Sequence, residues 1–173
     1  MIILGVDPGL ATVGFAIIEK IKDCKSIDDK RFKVIDFGCI TTLPGFTAGE
    51  RLDQIHKQLT LLIKKHKPDL MAVESLYFFK NLKTVMPVSQ AKGVILLSAA
   101  QKNIPVLEFT PLQMKMTIAG YGRAEKKQVQ EMTKKLLDLS SFNMKENYRN
   151  KDDASDALGV AICAGLHNKF LVG

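Results

Sequence analysis

The first fourteen residues, MIILGVDPGLATVG, restrict the fold more than any other stretch of the chain. Ile2, Ile3, Leu4 and Val6 make a short apolar run, the pattern of a strand buried on both faces and therefore central in a sheet. Asp7 breaks the run, and Pro8-Gly9 follows it at once as a turn signal. An ionised carboxylate is costly to hide unless a cation or several donors compensate it. Asp7 is therefore either a turn residue that caps its own backbone or a metal ligand at a strand end. Alone, it leaves both readings open.

The rest of the chain reads as strands and helices around that strand. Thr12–Ile18 and Phe32–Ile40 are further apolar runs, joined to the first by short polar links, which predicts an antiparallel meander. Thr47 or Gly49 opens a helix running to about Lys67, with Leu52, Ile55, Leu59, Leu62 and Ile63 on one face. Asp69–Glu74 is a fourth strand, again apolar and again ending on a carboxylate. Residues Val85–Lys102 have helical character after Pro87, and Ile104–Phe109 is a fifth strand. Two helices are expected around Pro111–Ala119 and Ala124–Leu139, then a polar loop from Ser140 to Lys151. A last helix runs from about Asp152 to Asn168, packing through Ala154, Leu158, Ala161, Ile162, Gly165 and Leu166. No repeat or linker interrupts the pattern, so the expectation is one α/β domain over residues 1–173.

Several function classes are excluded at this level. The N-terminal apolar run is too short for a signal peptide and lacks a basic flank. No stretch approaches the roughly 18 apolar residues of a bilayer span, so the expected location is the cytoplasm. Cys24, Cys39 and Cys163 are odd in number and widely spaced, which argues against a disulfide framework or a zinc site. His56, His66 and His167 show no ligand spacing and read as surface or packing residues. The net charge is +7, and its distribution is uneven. Between Lys80 and Lys151 there are 13 Lys/Arg against 5 Asp/Glu, whereas the remainder holds 12 basic and 13 acidic residues. A basic run is often only a solvated face, but an excess confined to one segment favours a polyanionic partner.

The acidic residues complete the pattern. If the first and fourth strands are parallel neighbours, Asp7 and Glu74 emerge at one edge, where ligand sites of open α/β sheets lie. Asp152-Asp153-Ala154-Ser155-Asp156 opens the last helix, with Asp153 and Asp156 spaced i,i+3 on one face. Such acids also complement a helix dipole and cap its amides. That suffices for Asp152, whereas one cap does not need Asp153 and Asp156 as well. Four convergent carboxylates without basic partners repel strongly and call for divalent cations. Oxygen-only ligation suits magnesium or manganese, and two such ions about 4 Å apart suit phosphodiester hydrolysis.

With GVDPG at Asp7, AVES at Glu74 and DDASDAL at Asp153 and Asp156, the chain resembles the RuvC family of bacterial Holliday-junction resolvases. QAKGVIL at Gln90–Leu96, QMKMTIAGYG at Gln113–Gly122 and AEKKQVQ at Ala124–Gln130 extend the resemblance along nearly the whole chain. It implies a ribonuclease H-like fold, here a five-stranded mixed sheet of three antiparallel and two parallel strands flanked by helices. The implied activity is a metal-dependent endodeoxyribonuclease that resolves Holliday junctions by paired symmetric nicks in recombination and repair. Asp7, Glu74, Asp153 and Asp156 become its catalytic metal ligands, for two Mg2+ ions that Mn2+ can replace. Some members carry His at the position of Asp153. An aromatic residue that inserts into the junction corresponds to Tyr77, with Phe78 and Phe79 behind it. Those rings beside Lys80 and Lys83 also combine base stacking with phosphate attraction, although consecutive aromatics are equally expected in a core. Lys115 and Lys126 match DNA-contacting lysines, with Arg123 and Lys127 as helpers. The resemblance also implies a homodimer, which suits a junction with two equivalent strands, and a RuvA-RuvB branch-migration complex as partner.

Two rival readings use the same residues. Asp7-x-Gly9-x-x-Thr12 resembles the phosphate loop of actin-like and sugar-kinase ATPases, which need a second nucleotide-binding half that 173 residues do not supply. A non-catalytic DNA-binding module explains the basic segment but not four acids at strand and helix ends.

Overall fold

The computed structural model describes residues 1–21, 30–75, 82–138 and 151–167, without the side chains of 82–84 and 151. Three strands, β1 (Ile2–Asp7), β2 (Thr12–Lys20) and β3 (Phe32–Thr41), form the expected antiparallel meander. Helix α1 (Ala48–His66) then returns the chain so that β4 (Leu70–Glu74) lies parallel to β1. Helix α2 (Leu82–Ala100) does the same for β5 (Val106–Phe109), which lies parallel to β4. The chain continues through α3 (Pro111–Ala119), α4 (Lys126–Leu136) and α5 (Lys151–Leu166).

A sixth strand corrects the five-stranded expectation. β6 (Leu137–Asp138) pairs parallel to β3 through Phe32–Leu137 and Lys33–Asp138, giving the order β5-β4-β1-β2-β3-β6. The sequence pattern carries the apolar residues after Lys135 on as the end of α4, because two residues are too few to show a period of their own. The edge of β3 leaves backbone groups unpaired. There the Arg31 amide donates to the Leu136 carbonyl at 2.9 Å, and the chain leaves the helix to extend the ladder. Helix α2 also begins earlier than expected and carries Pro87 inside it. That proline costs one ladder hydrogen bond, while Ala91, Ile95 and Ala99 beyond it hold the helix in the core.

Alternation along the strands sends two sets of side chains to two cores. Leu4, Val6, Val13, Ile17, Met71 and Val73 pack against α1 and α2. Ile3, Ala16, Ile18, Leu70 and Ala72 face α5. Because successive side chains alternate, Asp7 belongs to the α5 face by way of Ile3 and Gly5, and Glu74 by way of Leu70 and Ala72. Helices α1 and α3 start at capping boxes, Thr47 with Glu50 and Thr110 with Gln113, each worth about 1 kcal/mol.

Candidate active site

The α5 face of the sheet is lined by small residues where the helix crosses it. A methyl group on Gly5 would stand 2.2 Å from the Ala157 carbonyl oxygen, and one on Gly14 would stand 2.1 Å from that of Asp153. Gly14 lies opposite Asp7 in the β1–β2 ladder. The helix backbone therefore touches the sheet backbone directly, and Ala154, Ala157 and Ala161 are small and buried in turn. This close approach carries Asp153 and Asp156, at the start of α5, over the strand ends that hold Asp7 and Glu74.

Asp7, Glu74 and Asp156 are all shifted by their surroundings. Burial pushes the Asp7 carboxyl up to about 8, with Glu74, Asp156 and Asp153 adding repulsion. Asp7 in its protonated form donates a hydrogen bond to the Glu74 carboxylate. Glu74 is raised by burial and by Asp156, and lowered by that hydrogen bond and by Lys126. Asp156 is raised by burial, against the ammonium of Lys126. Among the described residues, no three His, Cys, Asp or Glu side chains already stand as a cage for a metal ion. The donors are all carboxylates and are short of positive charge, so their chemistry fits hard divalent cations.

Lys126, at the first position of α4, ion-pairs with Asp156 at 3.2 Å and approaches Asp152 at 3.9 Å. Lys115 sits part-buried on α3, while Arg123 and Lys127 are exposed on the turn into α4 and on its first turn. Leu112, Met116 and Tyr121 expose apolar surface on the same α3–α4 unit. Tyr77, Phe78 and Lys80 lie outside the described residues, and Lys83 falls on α2 with its side chain undescribed.

One supporting network was not read from the sequence. Ser75, directly after Glu74, donates its amide to the Phe109 carbonyl at 2.8 Å and its hydroxyl to Glu108 at 3.2 Å. Lys92 of α2 ion-pairs with the same Glu108 carboxylate. These contacts fix the end of β4 from the face opposite the acids. Its signal was a charged residue inside β5 and a lysine on the apolar helix α2. The histidines are ordinary: His66 meets Asp36 at 3.1 Å, His56 meets Ser98 at 2.9 Å, and His167 packs edge-on against Phe109.

Comparisons with known proteins agree with this architecture. The family model described as crossover junction endodeoxyribonuclease RuvC matches residues 3–164. The crossover junction endodeoxyribonuclease RuvC of Halothermothrix orenii is 47% identical over 165 residues, covering 95% of this chain and 92% of that protein. That of Pelotomaculum thermopropionicum is 44% identical over 167 residues, covering 96% and 94%. The structure of T. thermophilus RuvC in complex with Holliday junction substrate superposes with a TM-score of 0.80 at 27% identity, covering 94% of this chain and 92% of that one. This chain belongs to the RuvC family of crossover junction endodeoxyribonucleases.

Proposed function

We propose that Asp7, Glu74, Asp153 and Asp156 are the metal-binding catalytic residues of this crossover junction endodeoxyribonuclease, acting within a single nuclease domain of residues 1–173. The observation that carries the assignment is the convergence of carboxylates from β1, β4 and α5: burial, and after it repulsion from Glu74, Asp156 and Asp153, pushes the Asp7 carboxyl up to about 8. The site takes two divalent cations, Mg2+ or in its place Mn2+. When bound, such ions would polarise an attacking water and stabilise the leaving oxygen of the phosphodiester. The protein's own part is to hold four carboxylates on rigid elements: Asp7 and Glu74 on adjacent parallel strands, Asp153 and Asp156 one helical turn apart. The backbone contact of Gly14 with Asp153 fixes the distance between the two pairs.

The substrate is the four-way DNA junction. Lys115, Arg123, Lys126 and Lys127 on the α3–α4 unit contact backbone phosphates beside the acids, as base-independent positioning charges. Tyr77 stacks at the opened junction centre, aided by Phe78, Lys80 and Lys83. The protein works as a homodimer in the cytoplasm, with RuvA-RuvB as its branch-migration partner. Among the described residues, no helix is long and apolar enough to cross a membrane.

Synthetic four-way junctions, compared with linear duplex of the same sequence, test the reading. With Mg2+ present, the junction is nicked symmetrically and the duplex survives; without Mg2+, neither is cut. Equal cutting of the linear duplex overturns the junction selectivity. Substantial Mg2+-dependent cutting by Asp7→Asn, or by Glu74→Gln or Asp156→Asn, overturns the site.

A further inference from the structure

We propose that Lys126 is a resident counter-ion of the carboxylate cluster, an ammonium that divalent cations must displace before the site is loaded. The inference rests on the metal-binding assignment above and concerns what occupies the charge-deficient cluster beforehand. Lys126 places its Nζ 3.2 Å from Asp156 Oδ2 and 3.9 Å from Asp152 Oδ1. Among the described residues, no other lysine or arginine ion-pairs with Asp7, Glu74, Asp153 or Asp156.

The place of Lys126 in its helix supports the same role. It is the first residue of α4, directly after the N-cap Glu125, with Lys127 next and no acid within the first turn itself. A cation at a helix N-terminus opposes the macrodipole, so α4 gains nothing from a lysine there. The acids across from it are what hold the ammonium in place.

A lysine ammonium and a divalent cation compete for the same carboxylate oxygens, but on unequal terms. The ammonium hangs on a flexible, half-exposed stem and reaches chiefly one acid, whereas a hard dication draws on several oxygens at once. Exchange therefore favours the dication and releases the ammonium at the rim of the site, beside Lys115 and Lys127, where the DNA backbone passes. Lysine offsets part of the negative charge before loading; the dications take over that role, and the freed lysine turns to phosphate.

Calorimetric titration of Mn2+ into the full chain without DNA tests the exchange. Lys126→Met keeps the length of the side chain and removes its charge. It should bind Mn2+ about three- to fivefold tighter than the wild type, the scale of a partly exposed ion pair. Lys126→Arg, which retains a competing cation, and Lys127→Met, which removes a neighbouring charge not paired with the four acids, should stay close to the wild type. Equal or weaker Mn2+ binding by Lys126→Met, with wild-type binding intact, overturns the counter-ion role alone. The same gain in Lys127→Met overturns it too, since general charge removal then suffices. No Mn2+ binding by any of the proteins overturns the metal assignment and this proposal with it. Melting curves in EDTA confirm that each variant is folded.

Discussion

Asp7 faces two opposed demands. The proposed chemistry requires it ionised beside three other acids, while the bare fold keeps it protonated to about pH 8. The sign of the resulting pH dependence follows from linkage. Between the ordinary carboxyl pKa near 3.8 and about 8, the folded chain holds a proton on Asp7 that the unfolded chain has lost. Stability of the metal-free protein is therefore fully present below the lower value and falls as pH rises towards the upper one. Asp7→Asn removes the ionisable group and keeps the shape. Measured in EDTA, its melting temperature should exceed the wild type's at pH 8 and converge with it near pH 4, while cleavage in Mg2+ is lost. A wild-type melting temperature that does not fall between pH 4 and pH 8 would count against the crowding of charge. Part of this was readable beforehand, since an acid ending an apolar strand needs compensation. Which face it occupies was not stated from sequence, although the parity of Ile3, Gly5 and Asp7 contains it.

Gly5 and Gly14 show what a strand-by-strand reading misses. Strands β1 to β5 and the five helices announce themselves by apolar runs, by Pro and Gly breaks, and by the Thr47 cap. Nothing local says which helix will lie across the β1–β2 hairpin, so these glycines carry no local signal of their role. β6 was hidden for the same reason, because its two residues pair only where the edge of β3 happens to be free. The position of α5 relative to β2 sets the spacing of the two acid pairs, which gives a test. A methyl at Gly14 must move the Asp153 backbone, standing 2.1 Å from its carbonyl oxygen and 2.4 Å from its carbonyl carbon. Gly14→Ala should cost about 1–3 kcal/mol in denaturant unfolding, as overpacking does. Cleavage should fall further than stability explains, by roughly 100-fold, as expected for a misplaced catalytic group. Gly45→Ala, which meets nothing within 4 Å, is the control and should match the wild type in both. A stable Gly14→Ala protein that cuts normally would show that α5 tolerates displacement and that the acid spacing is not set there.

All four proposed acids come from one chain, so each subunit of the proposed homodimer would carry a whole set of them. A four-way junction has two equivalent strands to cut, and a twofold dimer presents one site to each. The net charge of +7 and its concentration between Lys80 and Lys151 fit two copies gripping a dense polyanion. The interface between the copies was not legible in one sequence, because an apolar surface residue looks the same whether a partner or solvent covers it. Leu61, Met86 and Leu97 are exposed on α1 and α2, but exposure alone names no partner. The stoichiometry of cutting can be tested without knowing the interface. Differently tagged wild-type and Asp7→Asn chains, co-expressed and purified through both tags, give a dimer with one intact site. On a supercoiled plasmid bearing an extruded cruciform, the wild-type dimer should yield linear product through paired nicks. The mixed dimer should stop at the nicked circle, because release of superhelical strain reabsorbs the cruciform before a second dimer can act. Abundant linear product from the mixed dimer would mean that one site serves both strands. Failure to recover any doubly tagged protein, with single-tag material running as a monomer, would remove the dimer itself.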